Sequence, residues 1–275
     1  MRVIPWLLAA FLLTACPAPR AGTVPGETPA CVLDAPPEVI PVRNPKPGEL
    51  NEFFELPDSP AWWAPAPMEA EREQYRAALV ARLGGDGLRQ RALLERQHAI
   101  HTAMAGKPMQ REAENTGRVL EGNAGKLGPA SCLEWRLFQR QTHRYPMLAH
   151  PTEFGAYILR GHGRLRVYLS GGDSVGGPLR HEVSDRVAAD AANGFEPVAH
   201  LHNHPFMFDR KPGDRMYTTE DSVNDLGGAL APSLTDVQAW RSMRTGFGLK
   251  GGWLTNGLDS IHYTSEEFDR LSAWD

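Results

Sequence analysis

The spacing of apolar positions changes near the middle of the chain. In residues 68–83, Tyr75, Leu79 and Leu83 recur at i, i+4 and i+8, one face of a helix, and Gly84-Gly85 ends it. Asp86 can cap a second helix running to about Ala105, with Leu93, Ile100 and Met104 on one side. Residues 106–130 carry five glycines and read as mostly irregular. Ser131-Cys132-Leu133-Glu134 is a capping box that starts a helix to about Thr142. From there strands predominate. Residues 153–159 and 165–169 read as strands joined by a turn at 161–163, and 171–177 as a loop. Residues 183–192 read as a helix with Val187 and Ala191 inward, and 198–204 as a strand that Pro205 ends. A long loop, 205–232, leads to a helix opened by Ser233 and carrying Val237, Trp240 and Met243. Asn256-Gly257 sits between apolar runs 251–255 and 258–263, the strongest short hairpin signal, and a short helix is expected near Ser265. Helices interleaved with short, partly hairpin-paired strands predict an α/β (α+β) domain on a mixed sheet.

The N-terminus departs from this pattern. Arg2 precedes an apolar run, 3–13, too short to span a bilayer and suited to a signal-peptide core. It ends in Leu13-Thr14-Ala15-Cys16, which resembles a bacterial lipobox. That implies lipidation at Cys16 and a membrane-anchored protein of the bacterial cell envelope, at the outer membrane or periplasmic face. A plain secretory signal, cleaved after Ala15 or Ala21, is the alternative. Residues 17–67 hold 13 of the 23 prolines, so 16–67 read as a Pro-rich tether. Phe53, Phe54, Trp62 and Trp63 within it are suited to pin it to the body. The expected organisation is a signal peptide (1–15), the tether (16–67), a helical extension (68–130) and the main domain (131–275).

Composition narrows the possible partners. With a net charge of −4 and no basic stripe, the chain offers no nucleic-acid surface. Cys31 and Cys132 remain after Cys16 as a possible disulfide outside the cytoplasm. With no CxxC spacing, a cysteine-rich zinc site is excluded.

Chemistry concentrates in the second half. In Ala199-His200-Leu201-His202-Asn203-His204-Pro205, alternate residues of a strand share a face, so His202 and His204 can aim at one point, with His200 behind them. In Pro232-Ser233-Leu234-Thr235-Asp236, a serine N-cap and an acid three residues on are held rigid at a helix N-terminus. His202, His204 and Asp236 make a three-ligand set suited to Zn²⁺ with one position left for water. Each half also has a plain structural reading, as a solvated histidine face and as a helix cap. His98 and His101, one turn apart, lack a third ligand in sequence and read as a surface pair.

The two motifs together resemble the JAMM (MPN-plus, JAB-domain) metalloprotease signature, H-x-H-P followed by S-x-x-D. The family's third element, a glutamate on an early strand, is matched by Glu153 in Pro151-Thr152-Glu153-Phe154-Gly155. The likeness covers roughly 131–265 and implies a JAB-like sheet flanked by helices. It also implies a zinc site of His202, His204 and Asp236, Glu153 as general base, Ser233 as donor to the oxyanion, and hydrolysis of a peptide, isopeptide or other amide bond. The chain departs from compact members in the length between His204 and Ser233. Residues 206–231, with Arg210, Lys211, Asp214, Arg215, Glu220 and Asp221, read as an insertion beside the site. Ser222 and Asp225 inside it form a rival S-x-x-D. A binding module that kept the fold and lost turnover is the alternative function. Zinc deaminases require H-x-E with P-C-x-x-C, and neither that pair nor HExxH occurs.

Overall fold

A computed structural model describes residues 31–104, 106–173, 175, 180–207 and 227–275. Its strands are β1 (Glu38–Val39), β2 (Leu50–Pro57), β3 (Lys126–Pro129), β4 (Phe154–Gly161), β5 (Arg164–Gly171), β6 (Glu196–Asn203), β7 (Gly251–Thr255) and β8 (Asp259–Thr264). The helices are α1 (Ala70–Gly87), α2 (Gln90–Ala103), α3 (Lys107–Leu120), α4 (Cys132–Arg144), α5 (His181–Ala192) and α6 (Leu234–Phe247). The strands form one mixed sheet in the order β1-β2-β5-β4-β6-β7-β8-β3, with β6 and β7 parallel and every other pair antiparallel. The α/β class read from the sequence is therefore the observed one.

Both faces of the sheet are covered. Phe154, Ala156 and Ile158 of β4, Val167 of β5 and Leu201 of β6 share a core with Tyr75 and Leu79 of α1 and with Leu133, Leu137 and Phe138 of α4. Tyr157, Tyr168, Leu254 and Ile261 project the other way and pack with Val183 and Val187 of α5 and Val237, Trp240 and Met243 of α6. The alternation of β4 between the two cores follows from the period of two of a strand. Local signals hold where the bonds are local. His162 and Gly163, both at positive φ (52° and 71°), make the β4–β5 turn. Ser131 Oγ and the Glu134 side chain close the capping box of α4. Gly84 breaks the helical backbone of α1 with φ 73°.

Several regions differ from expectation. The Pro-rich stretch is a tether at most in its first half, because β2 pairs with β5 along all eight of its residues and buries Phe54 and Leu56. Residues 31–275 form one compact unit that includes the segment expected as an extension. Residues 107–120, read as irregular, form α3, whose buried positions are Ala113, Asn115 and Thr116. The helix expected near Ser265 is a single 3-10 turn, Glu267–Asp269.

The expected disulfide is present and joins Cys31 to Cys132.

One close approach fixes how α6 sits on the sheet. A Cβ added at Gly252 in β7 would fall inside the Trp240 indole, which is fully buried. Gly252→Ala is therefore expected to cost about 2–3 kcal/mol, the penalty of overpacking a filled core. Urea unfolding reads it, and a change under about 0.5 kcal/mol would mean that Trp240 has room to move.

Candidate metal centre

The site begins on β6, a central strand. His200 and His202 project to the α6 side, where His200 lies 5.0 Å from the Tyr157 ring and His202 6.1 Å from the Trp240 ring. His204 follows the last residue of the strand, and its backbone N–H donates to Thr255 O at 2.9 Å. The second half lies at the start of α6. Ser233 is the N-cap, its Oγ accepting from Asp236 N (3.1 Å), and the Asp236 carboxylate accepts Ser233 N in return (2.8 Å). This double cap holds Asp236 Oδ1 at 3.1 Å from His202 Nε2 and Oδ2 at 3.4 Å from His204 Nε2. One ligand atom from each of the three residues lies within 4.8 Å of the others, so the cluster could hold a metal ion.

The donor chemistry fits an ion. His204 Nδ1 lies 2.9 Å from the Ala229 carbonyl, so the proton of a neutral ring sits there and Nε2 presents a lone pair. His202 is half-buried with both ring nitrogens shielded from solvent, yet neither nitrogen makes an aligned hydrogen bond. Its Nε2 lies 3.1 Å from Asp236 Oδ1, close enough for both atoms to share one ion.

Electrostatics couple the cluster. Burial penalises the Asp236 charge, but the His202 and His204 rings overcome it and hold the carboxyl well below the usual carboxylate range. Burial also disfavours charge on His204, and Asp236, then Glu153, outweigh it and push the ring up to about 9. Burial, then the neighbouring His202, pushes His200 down to about 3, so it is neutral.

Glu153 immediately precedes β4, within charge–charge range of His204. Gly155 pairs with His202 at the end of the ladder, and Glu153 lies two residues further toward His204, itself two residues beyond His202. Asn203, the residue between His202 and His204, points to the other face and grips this segment. Its Oδ1 accepts Phe154 N at 2.7 Å and its Nδ2 donates to Thr152 O at 3.0 Å, one residue on each side of Glu153.

The segment returning from the long loop is clamped by residues remote in sequence. A bridge between Phe206 and Gly227 brings the two ends of the loop together. Gln90 of α2 donates to Gly228 O (3.1 Å) and accepts Leu230 N (3.3 Å), while Tyr263 donates to Leu230 O (2.8 Å). Asn115 and Glu112 of α3 bind Pro232 O (3.3 Å) and Leu234 N (3.0 Å). Helices α2 and α3 therefore brace the Ala229 carbonyl, Ser233 and Asp236. Sequence reading missed Gln90, Glu112, Asn115, Ala229 and Asn203. Only Asn203, inside the histidine motif, carried a local hint.

The structure brings together Glu153, His202, His204, Ser233 and Asp236. His101, read as half of a surface pair, is buried instead, and His98 Nδ1 lies 3.0 Å from Ala113 O. Ser222, Asp225, Cys16 and the charged residues of the insertion lie outside the described residues. No helix among the described residues is long and apolar enough to cross a membrane.

Fold and site thus define a mixed α/β domain carrying a partly buried His-His-Asp cluster that could hold a metal ion. No protein-family model, curated protein or solved structure matches the chain.

Proposed function

We propose that the chain is a zinc-dependent amide hydrolase of the JAMM type, with His202, His204 and Asp236 as metal ligands, Glu153 as general base and Ser233 as oxyanion donor. The observation that supports it most is the three-ligand set formed by the end of β6 and the first turn of α6, with Glu153, just before β4, within charge–charge range of His204. A zinc ion there would supply Lewis-acid activation of water and of a substrate carbonyl. Glu153, held from both sides by Asn203, is placed to take a proton from water and return it to a leaving amine. The Ser233 hydroxyl accepts from Asp236 N, which leaves its own proton to donate to a developing oxyanion. The N-terminus of α6 adds favourable dipole density at the same point.

The substrate class we propose is a peptide, isopeptide or related amide of a protein partner. The lipobox-like sequence at Cys16 supports a lipid-anchored location in the bacterial cell envelope. The Cys31–Cys132 disulfide is in keeping with an oxidising compartment.

Glu153→Gln is the discriminating variant. It should lower hydrolysis across a panel of peptide and isopeptide substrates by about 100-fold or more while zinc content stays unchanged. Activity that survives the change would remove Glu153 from the role of base. Stoichiometric zinc with no turnover of any substrate by the unchanged chain would favour a binding module.

A further inference from the structure

Behind the metal cluster lies a second group of polar atoms that the proposed hydrolysis does not use. His200 is 6% exposed and both of its ring nitrogens lack a hydrogen-bond partner. The same holds for His202 Nδ1 and for the indole Nε1 of Trp240. These residues are neighbours. The His200 and His202 ring centroids are 5.7 Å apart, and those of His202 and Trp240 6.1 Å apart. The backbone is kept thin around them. A Cβ on Gly155 would come within 3.2 Å of His200 Nε2, and β7 places Gly252 beside His200.

Buried polar atoms normally have partners, and such atoms on three neighbouring side chains are the usual surroundings of an ordered water. If His202 gives Nε2 to an ion, Nδ1 carries its proton and is a donor. Trp240 Nε1 can only donate. A neutral His200 has one nitrogen that accepts. One water between the three side chains would accept from His202 and Trp240 and donate to the accepting nitrogen of His200.

We infer that His200 is a positioning residue of the metal centre, holding the outer ring nitrogen of His202 through a buried water shared with Trp240. This rests on the metal reading of His202, His204 and Asp236. By fixing the tautomer and tilt of His202, His200 raises the affinity of the site for its ion without touching it.

The test is zinc affinity of the full chain, by competition with a chromophoric chelator, for the unchanged protein, His200→Phe, His200→Gln and Asp236→Ala. Phenylalanine keeps the ring against Tyr157 and removes the nitrogens. Glutamine keeps a polar end. His200→Phe should weaken zinc by about 10- to 100-fold and His200→Gln should recover most of that loss. The visible spectrum of the Co²⁺-loaded protein should shift in His200→Phe and return toward the original in His200→Gln. Thermal unfolding of the metal-free forms should not follow this order. If His200→Phe does not fold, His200→Leu takes its place: a roughly 10- to 100-fold weaker zinc affinity that His200→Gln restores supports the inference, and affinity equal to that of the unchanged chain overturns it. Tight zinc in both the unchanged chain and His200→Phe, with Asp236→Ala weakened, overturns the role of His200 alone. No zinc on the unchanged chain overturns the metal reading and this inference with it.

Discussion

Asp236→Ala is expected to take bound zinc from about one equivalent to less than about a tenth, measured on protein purified without chelator. Asp236 supplies the carboxylate ligand among the three and faces both histidines, at 3.1 and 3.4 Å. Losing it leaves two imidazoles in a buried space with no negative charge to offset a divalent cation. The residue also caps α6, so alanine should cost roughly 1 kcal/mol of stability as well. Asp236→Asn separates the two effects. Its side-chain oxygen can still accept Ser233 N, so the cap and the melting temperature should be nearly kept while metal is lost. Equal zinc in all three proteins would show that the cluster is a capped helix beside a histidine strand and nothing more.

Reduction of the Cys31–Cys132 bond should have the largest effect on stability. The bond closes a span of 101 residues, which on chain-entropy grounds contributes about 4–5 kcal/mol by restricting the unfolded chain. For a unit of this size that corresponds to a fall of roughly 10–20 °C in melting temperature. Cys31→Ala with Cys132→Ala should reproduce the fall and abolish any further response to reductant. The bond also holds the approach to β2. Cys31 O accepts from Arg136 of α4, and Arg140 of the same helix pairs with the buried Glu52 of β2. A drop under about 3 °C would mean that these contacts order residues 31–57 without the covalent link.

How far the sequence could be read depended on how local each interaction is. Capping boxes at Ser131 and Ser233, the turns at His162-Gly163 and Asn256-Gly257, and the alternation of β4 are set by atoms a few residues apart. All were legible. The β2 strand was not, because Glu52 occupies an inward position of the alternation and becomes tolerable only through Arg140, 88 residues away. Nor was α3, whose buried face is Ala113, Asn115 and Thr116, a pattern with almost no hydrophobic signal. Its polar side chains are buried because they bind the backbone of Pro232, Ser272 and Leu234.

The site divides in the same way. By itself the sequence determined that His202 and His204 share a strand face and that Asp236 is fixed in the first turn of a helix. Both follow from backbone periodicity and one local cap. Only the tertiary structure decided that these two pieces meet, that Glu153 joins them, and that Ala229, Gln90, Glu112 and Asn115 hold the join. Those contacts close loops of 25 to 140 residues, and no local pattern encodes which distant backbone carbonyl a buried side chain will satisfy.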